Sequence, residues 1–194
     1  MTEDLRFTEI EHKYVVDERF DLPRFREALG RLKPTRTTSV RVRDRYFLTQ
    51  GGRGGRFVIR HRYDAELHHL TLKTLEDDTE VRAEINLDLG HHAGDQRAQI
   101  DAFLDRIGVE WRGTVHKDVE VWYFPDSEIV CYQASSGPRS VRCVEFEAKG
   151  ARSREDAFAI LQTYERATGF DDAERSRLSL VQMLFPELAA LLRP

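Results

Sequence analysis

Residues 8–14, Thr-Glu-Ile-Glu-His-Lys-Tyr, place charged side chains at every second position. Side chains on a strand alternate between its two faces. Glu9, Glu11 and Lys13 therefore share one face, and Ile10, His12 and Tyr14 the other. The same period of two recurs down the chain. Residues 56–63 set Arg60 and Arg62 against Ile59 and His61, and residues 67–76 set Thr71 and Lys73 against Leu70 and Leu72. Residues 79–89 set Arg82, Glu84, Asn86 and Asp88 against Val81, Ala83, Ile85 and Leu87. Residues 140–149 set Glu145, Glu147 and Lys149 against Val144, Phe146 and Ala148. Residues 39–49, 114–124 (with Lys117) and 127–134 bring the predicted strands to eight.

Between these stretches the apolar period lengthens to that of a helix. Asp21 and Pro23 open one with a stripe of Phe25, Leu29 and Leu32, ended by Lys33-Pro34. A second spans 95–107, buries Ile100, Phe103, Leu104 and Ile107, and stops at Gly108. Ser153 caps a third, with Phe158, Leu161 and Tyr164 inward and Gly169 at its end. A last one starts near Ser176 with Leu178, Val181 and Leu184; Pro186 breaks it, and 187–192 add a turn. The glycine-rich residues 50–55 lack the Lys-Ser/Thr of a phosphate loop and read as a hairpin connection. Asp77-Asp78 reads as a tight turn. The order is β-α-β-β-β-β-α-β-β-β-α-α, an α+β class, with no linker or repeat dividing residues 1–194, so one domain is expected.

Short turns between consecutive strands imply antiparallel pairing, and eight such strands can close into a barrel. In one architecture the charged faces meet water. In the other they line a tunnel, and the amphipathic helices cover an apolar outside; the helical stripes favour this second arrangement.

Composition sharpens the picture. A chain of 194 residues can bury a sizeable core. Charged residues make up 33%, more than an ordinary compact domain needs on its surface, which suits a charged interior. A net charge of −4 argues against a general nucleic-acid binder and leaves no sequence-specific nucleic-acid partner expected. Arg41, Arg43, Arg45, Arg53, Arg56, Arg60 and Arg62 nevertheless crowd one stretch, which reads as a local anion site. Cys131 and Cys143 lack metal-ligand spacing and read as free thiols of a reducing compartment. With no leader-like or membrane-spanning run, the expectation is a soluble cytoplasmic protein without a membrane partner.

Taken together, Glu9-x-Glu11-x-Lys13, Asp44-Arg45-Tyr46-Phe47, Arg60-x-Arg62, Leu72-Lys73, Arg82-x-Glu84 and Glu145-x-Glu147 resemble, in order, the motifs of the CYTH family, the triphosphate tunnel metalloenzymes. The resemblance covers about residues 7–184. It implies an eight-stranded antiparallel tunnel that binds a triphosphate-containing small molecule and works with Mg²⁺ or Mn²⁺. Members hydrolyse inorganic tripolyphosphate, thiamine triphosphate or RNA 5′-triphosphates, or cyclise ATP.

On this reading Lys13, Arg60, Arg62, Lys73, Arg82 and Lys117 bind the substrate's phosphates. Glu9, Glu11, Glu145 and Glu147 hold one or two cations, hard ions that take oxygen ligands. Glu145, Glu147 and Lys13 are the catalytic group, with a glutamate of the Glu145/Glu147 pair orienting water. The expected activity is a metal-dependent triphosphatase; an adenylyl cyclase and a non-catalytic binding module are the alternatives, and a homodimer is compatible with either. Two departures stand out. Val119 takes the place of a second basic residue two positions after Lys117, and the stretch Cys131-Tyr132-Gln133-Ala134 lacks the family's aspartate, with Glu128 the acid nearby. The reading expects a working but slow enzyme that prefers short, highly charged substrates, with Arg41 or Arg43 compensating only if a bulge turns one inward. His12 should face away from Glu11, and His68-His69 and His91-His92, being adjacent pairs, make no metal site alone.

Overall fold

The structure is a computed structural model that describes residues 5–75, 80–171 and 173–192. The Asp77-Asp78 turn lies outside these residues. Eight strands form: β1 (Thr8–Val16), β2 (Arg36–Thr49), β3 (Phe57–Tyr63), β4 (His68–Thr74), β5 (Val81–Asp88), β6 (Val109–Tyr123), β7 (Ser127–Ser136) and β8 (Arg139–Ala148). They close into an antiparallel barrel in the order β1-β5-β4-β3-β2-β6-β7-β8. β2 and β6 run further than their alternation predicts, and their ladder joins Arg36 to Tyr123 at one end and, past an irregularity after Leu48, Thr49 to Val109 at the other.

The outside is apolar and mostly covered. α1 (Leu22–Arg31) and α4 (Arg154–Thr168) lie over β1, β8, β7 and β6. There Phe25 meets Trp122 and Phe146 edge-on, at centroid distances of 5.7 and 6.5 Å. Asp21 caps α1 by accepting a hydrogen bond from Arg24 N, and Ser153 caps α4 from Asp156 N. α3 (Arg97–Arg106) covers Phe47 on β2 with Ile100 and Leu104. Its stripe is narrower than predicted: Phe103 is 56% exposed and Ile107 43%. On β5, Ile85 and Leu87 also stay exposed, because no described helix covers that strand.

Among the described residues six helices form rather than four. Residues 50–55 are not a plain hairpin connection but the short helix α2 (Gln50–Gly55). The Thr49 hydroxyl accepts from Gly52 N at 2.9 Å, and Arg56, at φ 52°, closes the helix in the left-handed region. A Cβ on Gly52 would lie 2.6 Å from the Phe57 carbonyl oxygen, so only glycine lets the chain pass there. The last predicted helix starts later, as α5 (Leu180–Leu184), and α6 (Pro186–Leu191) follows. Ser179 and Gln182 form a reciprocal capping box, which fixes the start of α5 and leaves Leu178 51% exposed.

α5 and α6 do not simply join the outer layer. Leu180, Val181, Leu184, Phe185 and Leu188 pack with Tyr46, Leu48, Val115, Tyr132, Ala134 and Cys143, which belong to the barrel's inner rows. α5 thus stops one end of the tunnel. The opposite end, near Phe7, Glu66, Tyr123 and Lys149, is the mouth.

Candidate active site

The inner faces of the strands enclose a cavity of about 570 Å³. Glu9, Glu11 and Lys13 reach it from β1, Arg60 and Arg62 from β3, and Lys73 from β4. Arg82 reaches it from β5, Lys117 from β6, and Glu145 and Glu147 from β8. Ten residues spread over most of the chain thus meet in one space, because strand alternation and barrel closure put every charged row on the same side.

Within the cavity the charges pair. Arg82 donates through Nε to Glu9 (2.5 Å) and through Nη2 to Glu11 (2.6 Å). Lys13 Nζ lies 3.0 Å from Glu11 and 3.1 Å from Glu145. Lys73 Nζ lies 3.2 Å from Glu9 and 2.5 Å from Glu84. Arg60 bonds Thr71 and Glu84 through Nη2, while its Nε has no hydrogen-bond partner although the side chain is buried. A buried donor without an acceptor is what an anion would satisfy.

The carboxylates respond differently to this setting. Burial works against ionising Glu145, but Lys13, Lys117, the Tyr132 hydroxyl and Arg82 outweigh it and hold the group down at about 2. Burial likewise opposes the charge on Glu9, and Arg82 and Lys73 overcome it, keeping the carboxyl well below the usual range. Glu147 goes the other way, pushed up to about 8 by burial first and then by Glu9 and Glu128, with Lys149 too little to offset them. The register accounts for the Glu128 part of this. Glu11, Glu147 and Glu128 stand directly opposite one another across β1, β8 and β7, and like charges in that position repel. Lys149, 2.5 Å from Glu147 and 3.7 Å from Glu128, is the cation these two share.

Several groups have no role in the site on the motif reading, among them Asp44, although it stands in one of the motifs. Asp44 is fully buried and accepts two 2.7 Å hydrogen bonds from Arg62, with Lys117 Nζ 2.8 Å away. Burial disfavours its charge, yet Arg62 and Lys117 hold its carboxyl well below the usual range. Its signal in the sequence was a lone acid in the inner row of Val40, Val42, Tyr46 and Leu48. Tyr132 donates to Glu145 at 2.7 Å, and the Lys117 ammonium sits 5.4 Å from the centre of its ring. Glu128 lines the cavity in the strand where an aspartate was expected. Val119 lines it too, opposite Val40 on β2 and Tyr132 on β7. Neither Arg41 nor Arg43 turns inward. The β2–β6 ladder keeps its register up to Leu48, and Arg41 projects into solvent beside Asp118.

His69 lines the cavity on the inner row of β4, and His12, His61 and His68 lie outside it. His12 does face away from Glu11, yet it is fully buried under α4, stacked on Phe158. Its Nδ1 is 2.5 Å from Glu165, which also accepts from the Tyr14 hydroxyl at 2.6 Å. Arg175 reaches His12 Nε2 at 3.0 Å, and Ser176 N donates to the Lys13 carbonyl at 2.7 Å. This buried network ties α4 and the segment leading into α5 to the back of the strand that carries Glu11 and Lys13. His61 and His68 pair at 3.3 Å on the outer side of β3 and β4. Burial and then Arg45 push His61 down to about 4, which keeps it neutral.

Among the described residues no three His, Cys, Asp or Glu side chains form a ready cage for a metal ion. The chemistry of the cavity's donors still fits a hard divalent cation. Glu9, Glu11, Glu145 and Glu147 offer only carboxylate oxygens on one continuous wall, and Glu147 stands in a row of acids short of positive charge.

Comparison with known proteins follows the same lines. A family model described as CYTH domain matches residues 8–176. The PH1012 protein of Pyrococcus horikoshii superposes with a TM-score of 0.72 at 16% identity, covering 91% of this chain and 99% of its own. A Bacillus halodurans protein provisionally named an adenylate cyclase gives 0.57 at 17%, covering 92% and 99%. A chain of the Schizosaccharomyces pombe Mediator head module gives 0.60 at 11%, covering 85% and 96%. At these identities the likeness is one of fold. No curated protein matches the sequence. No helix among the described residues is long and apolar enough to cross a membrane.

Proposed function

The chain belongs to the CYTH domain family, and from that premise we propose that it is a metal-dependent triphosphatase acting inside the barrel. One observation carries the reading: six cationic and four acidic side chains from five of the chain's charged strand rows and from β6 line a single cavity closed at one end by α5. A triphosphate has more negative charge than a surface patch can hold, and arginine forks and lysines neutralise it best when water is excluded.

In this reading Arg60 and Arg62 grip phosphate oxygens from β3, Lys73 and Arg82 from β4 and β5, and Lys13 and Lys117 from the deeper wall. Asp44 fixes the Arg62 and Lys117 heads before substrate arrives, so less of their freedom is lost on binding. Glu9, Glu11, Glu145 and Glu147 hold Mg²⁺ or Mn²⁺, which when bound supplies positive charge to the phosphates and polarises water. The bound phosphates draw Lys13, Lys73 and Arg82 away from their resting carboxylate partners, and those carboxylates become free for the cation. A glutamate of the Glu145/Glu147 pair orients the attacking water, and Lys13 stabilises charge at the reacting phosphorus. A small organic or inorganic triphosphate is the partner.

The test is incubation with tripolyphosphate, ATP and thiamine triphosphate, each with Mg²⁺ or Mn²⁺. Phosphate release supports the triphosphatase. Cyclic AMP without phosphate release transfers the assignment to a cyclase, and tight binding without either product makes the barrel a binding module.

A further inference from the structure

The cavity has two unlike sides. Five strands carry most of its charges; β2, β6 and β7 add Asp44, Lys117 and Glu128, but between these they present an apolar strip. Val40 and Val119 are direct partners across β2 and β6, and Val121 and Val130 across β6 and β7. All four line the cavity, and Tyr123 carries the strip on to the mouth.

Phosphate oxygens gain nothing against this strip. An anionic oxygen pressed on valine methyls loses its water and finds no donor. A triphosphate therefore keeps to the charged arc, and apolar space remains beside it. The whole cavity, about 570 Å³, falls within the roughly 300–1,000 Å³ of sites for drug-sized ligands. We propose that the valine strip is the subsite for the organic group of a triphosphate monoester, and that the protein selects such esters over inorganic tripolyphosphate. The inference rests on the triphosphatase reading above. It also changes the meaning of Val119. That residue is one tile of a continuous apolar wall, and a base there would interrupt it. The strip itself offers methyl groups, so selection follows the size and apolarity of the organic group and not hydrogen-bond readout of a particular base.

The experiment compares kcat/KM for tripolyphosphate, methyl triphosphate and phenyl triphosphate, with dissociation constants by calorimetry as a readout that needs no turnover. Phenyl triphosphate should exceed both others by about tenfold or more, the scale of apolar discrimination in a pocket. Val119→Thr and Val130→Thr keep the shape, and each should cut the ratio of phenyl ester to tripolyphosphate about threefold to tenfold. Val119→Arg should move the ratio further toward tripolyphosphate, and thermal unfolding checks that each variant is folded. Tripolyphosphate handled as well as the phenyl ester, or a ratio that none of the three folded variants moves, overturns the subsite while leaving the triphosphatase standing. Absence of both binding and turnover for every triphosphate overturns the triphosphatase reading and this inference with it.

Discussion

Asp44 is the residue on which the cationic side of the cavity turns. It is wholly inside the barrel, and its two oxygens serve an arginine from β3 and a lysine from β6. Removing one partner of a buried charge cluster leaves the others uncompensated, at about 3–5 kcal/mol. Asp44→Asn should therefore lower stability by about that amount at neutral pH in denaturant titration, and raise KM more than it lowers kcat. The pH dependence has a definite sign. A carboxyl whose folded pKa lies below its unfolded value stabilises the fold at pH above the unfolded value, near 3.9, and loses that contribution as pH falls through the folded one. The stability gap between wild type and Asp44→Asn should accordingly narrow below about pH 4. A gap that stays constant well below about pH 4 would mean the charge of Asp44 does not matter.

At the scale of elements, two contacts hold the cavity's shape from behind. The first is α5, whose Leu184 is buried among inner-row side chains of the barrel. Leu184→Ala should destabilise by about 2–5 kcal/mol, the cost of a deleted core leucine, and loosen the closed end. Faster amide exchange in α5 than in β1 would register the loosening; unchanged exchange there would mean α5 is held by something else. The second is the clamp of Glu165 on His12 and Tyr14. Glu165→Ala strands two buried polar partners, His12 and Tyr14, and should cost about 1–3 kcal/mol for each unsatisfied group. A loss of less than about 1 kcal/mol in denaturant titration would show that water replaces the carboxylate. The clamp lies on the outer face of β1, so its loss should weaken stability more than it alters KM.

For the molecule as a whole, the balance of charge inside the barrel is the controlling quantity. Glu11, Glu147 and Glu128 stand in one cross-strand row, and Lys149 serves two of them. A divalent cation relieves that row more effectively than one lysine. Activity should vanish in excess chelator and return with Mg²⁺ or Mn²⁺, and Glu9→Gln, Glu11→Gln and Glu147→Gln should each lower it by about ten- to a hundredfold. Full turnover in excess chelator would end the metal assignment.

The period-two alternation of charged and apolar residues determined the strands, and the ordered motifs determined the antiparallel tunnel and the ten charged residues of its cavity. Those features are local or follow from one face of a strand being unlike the other, so they can be read before the chain is folded. Barrel closure decided the rest. Residues 50–55 are glycine-rich and carry no helical period, yet they form a helix because Thr49, Arg56 and the neighbouring Gly108 carbonyl satisfy its ends. Leu184 and Val181 show the same stripe whether they pack outside the barrel or into its end, and only the space left by Tyr46, Val115 and Ala134 chose the end. The alternation placed His12 away from Glu11, but only the fold brought Glu165 of α4 over it from 153 positions away. Val119 looked like a missing charge in a single strand, and became part of a wall only when β2 and β7 set Val40 and Tyr132 beside it. Each of these depends on partners distant in sequence, and a one-dimensional pattern carries no record of which distant surfaces will meet.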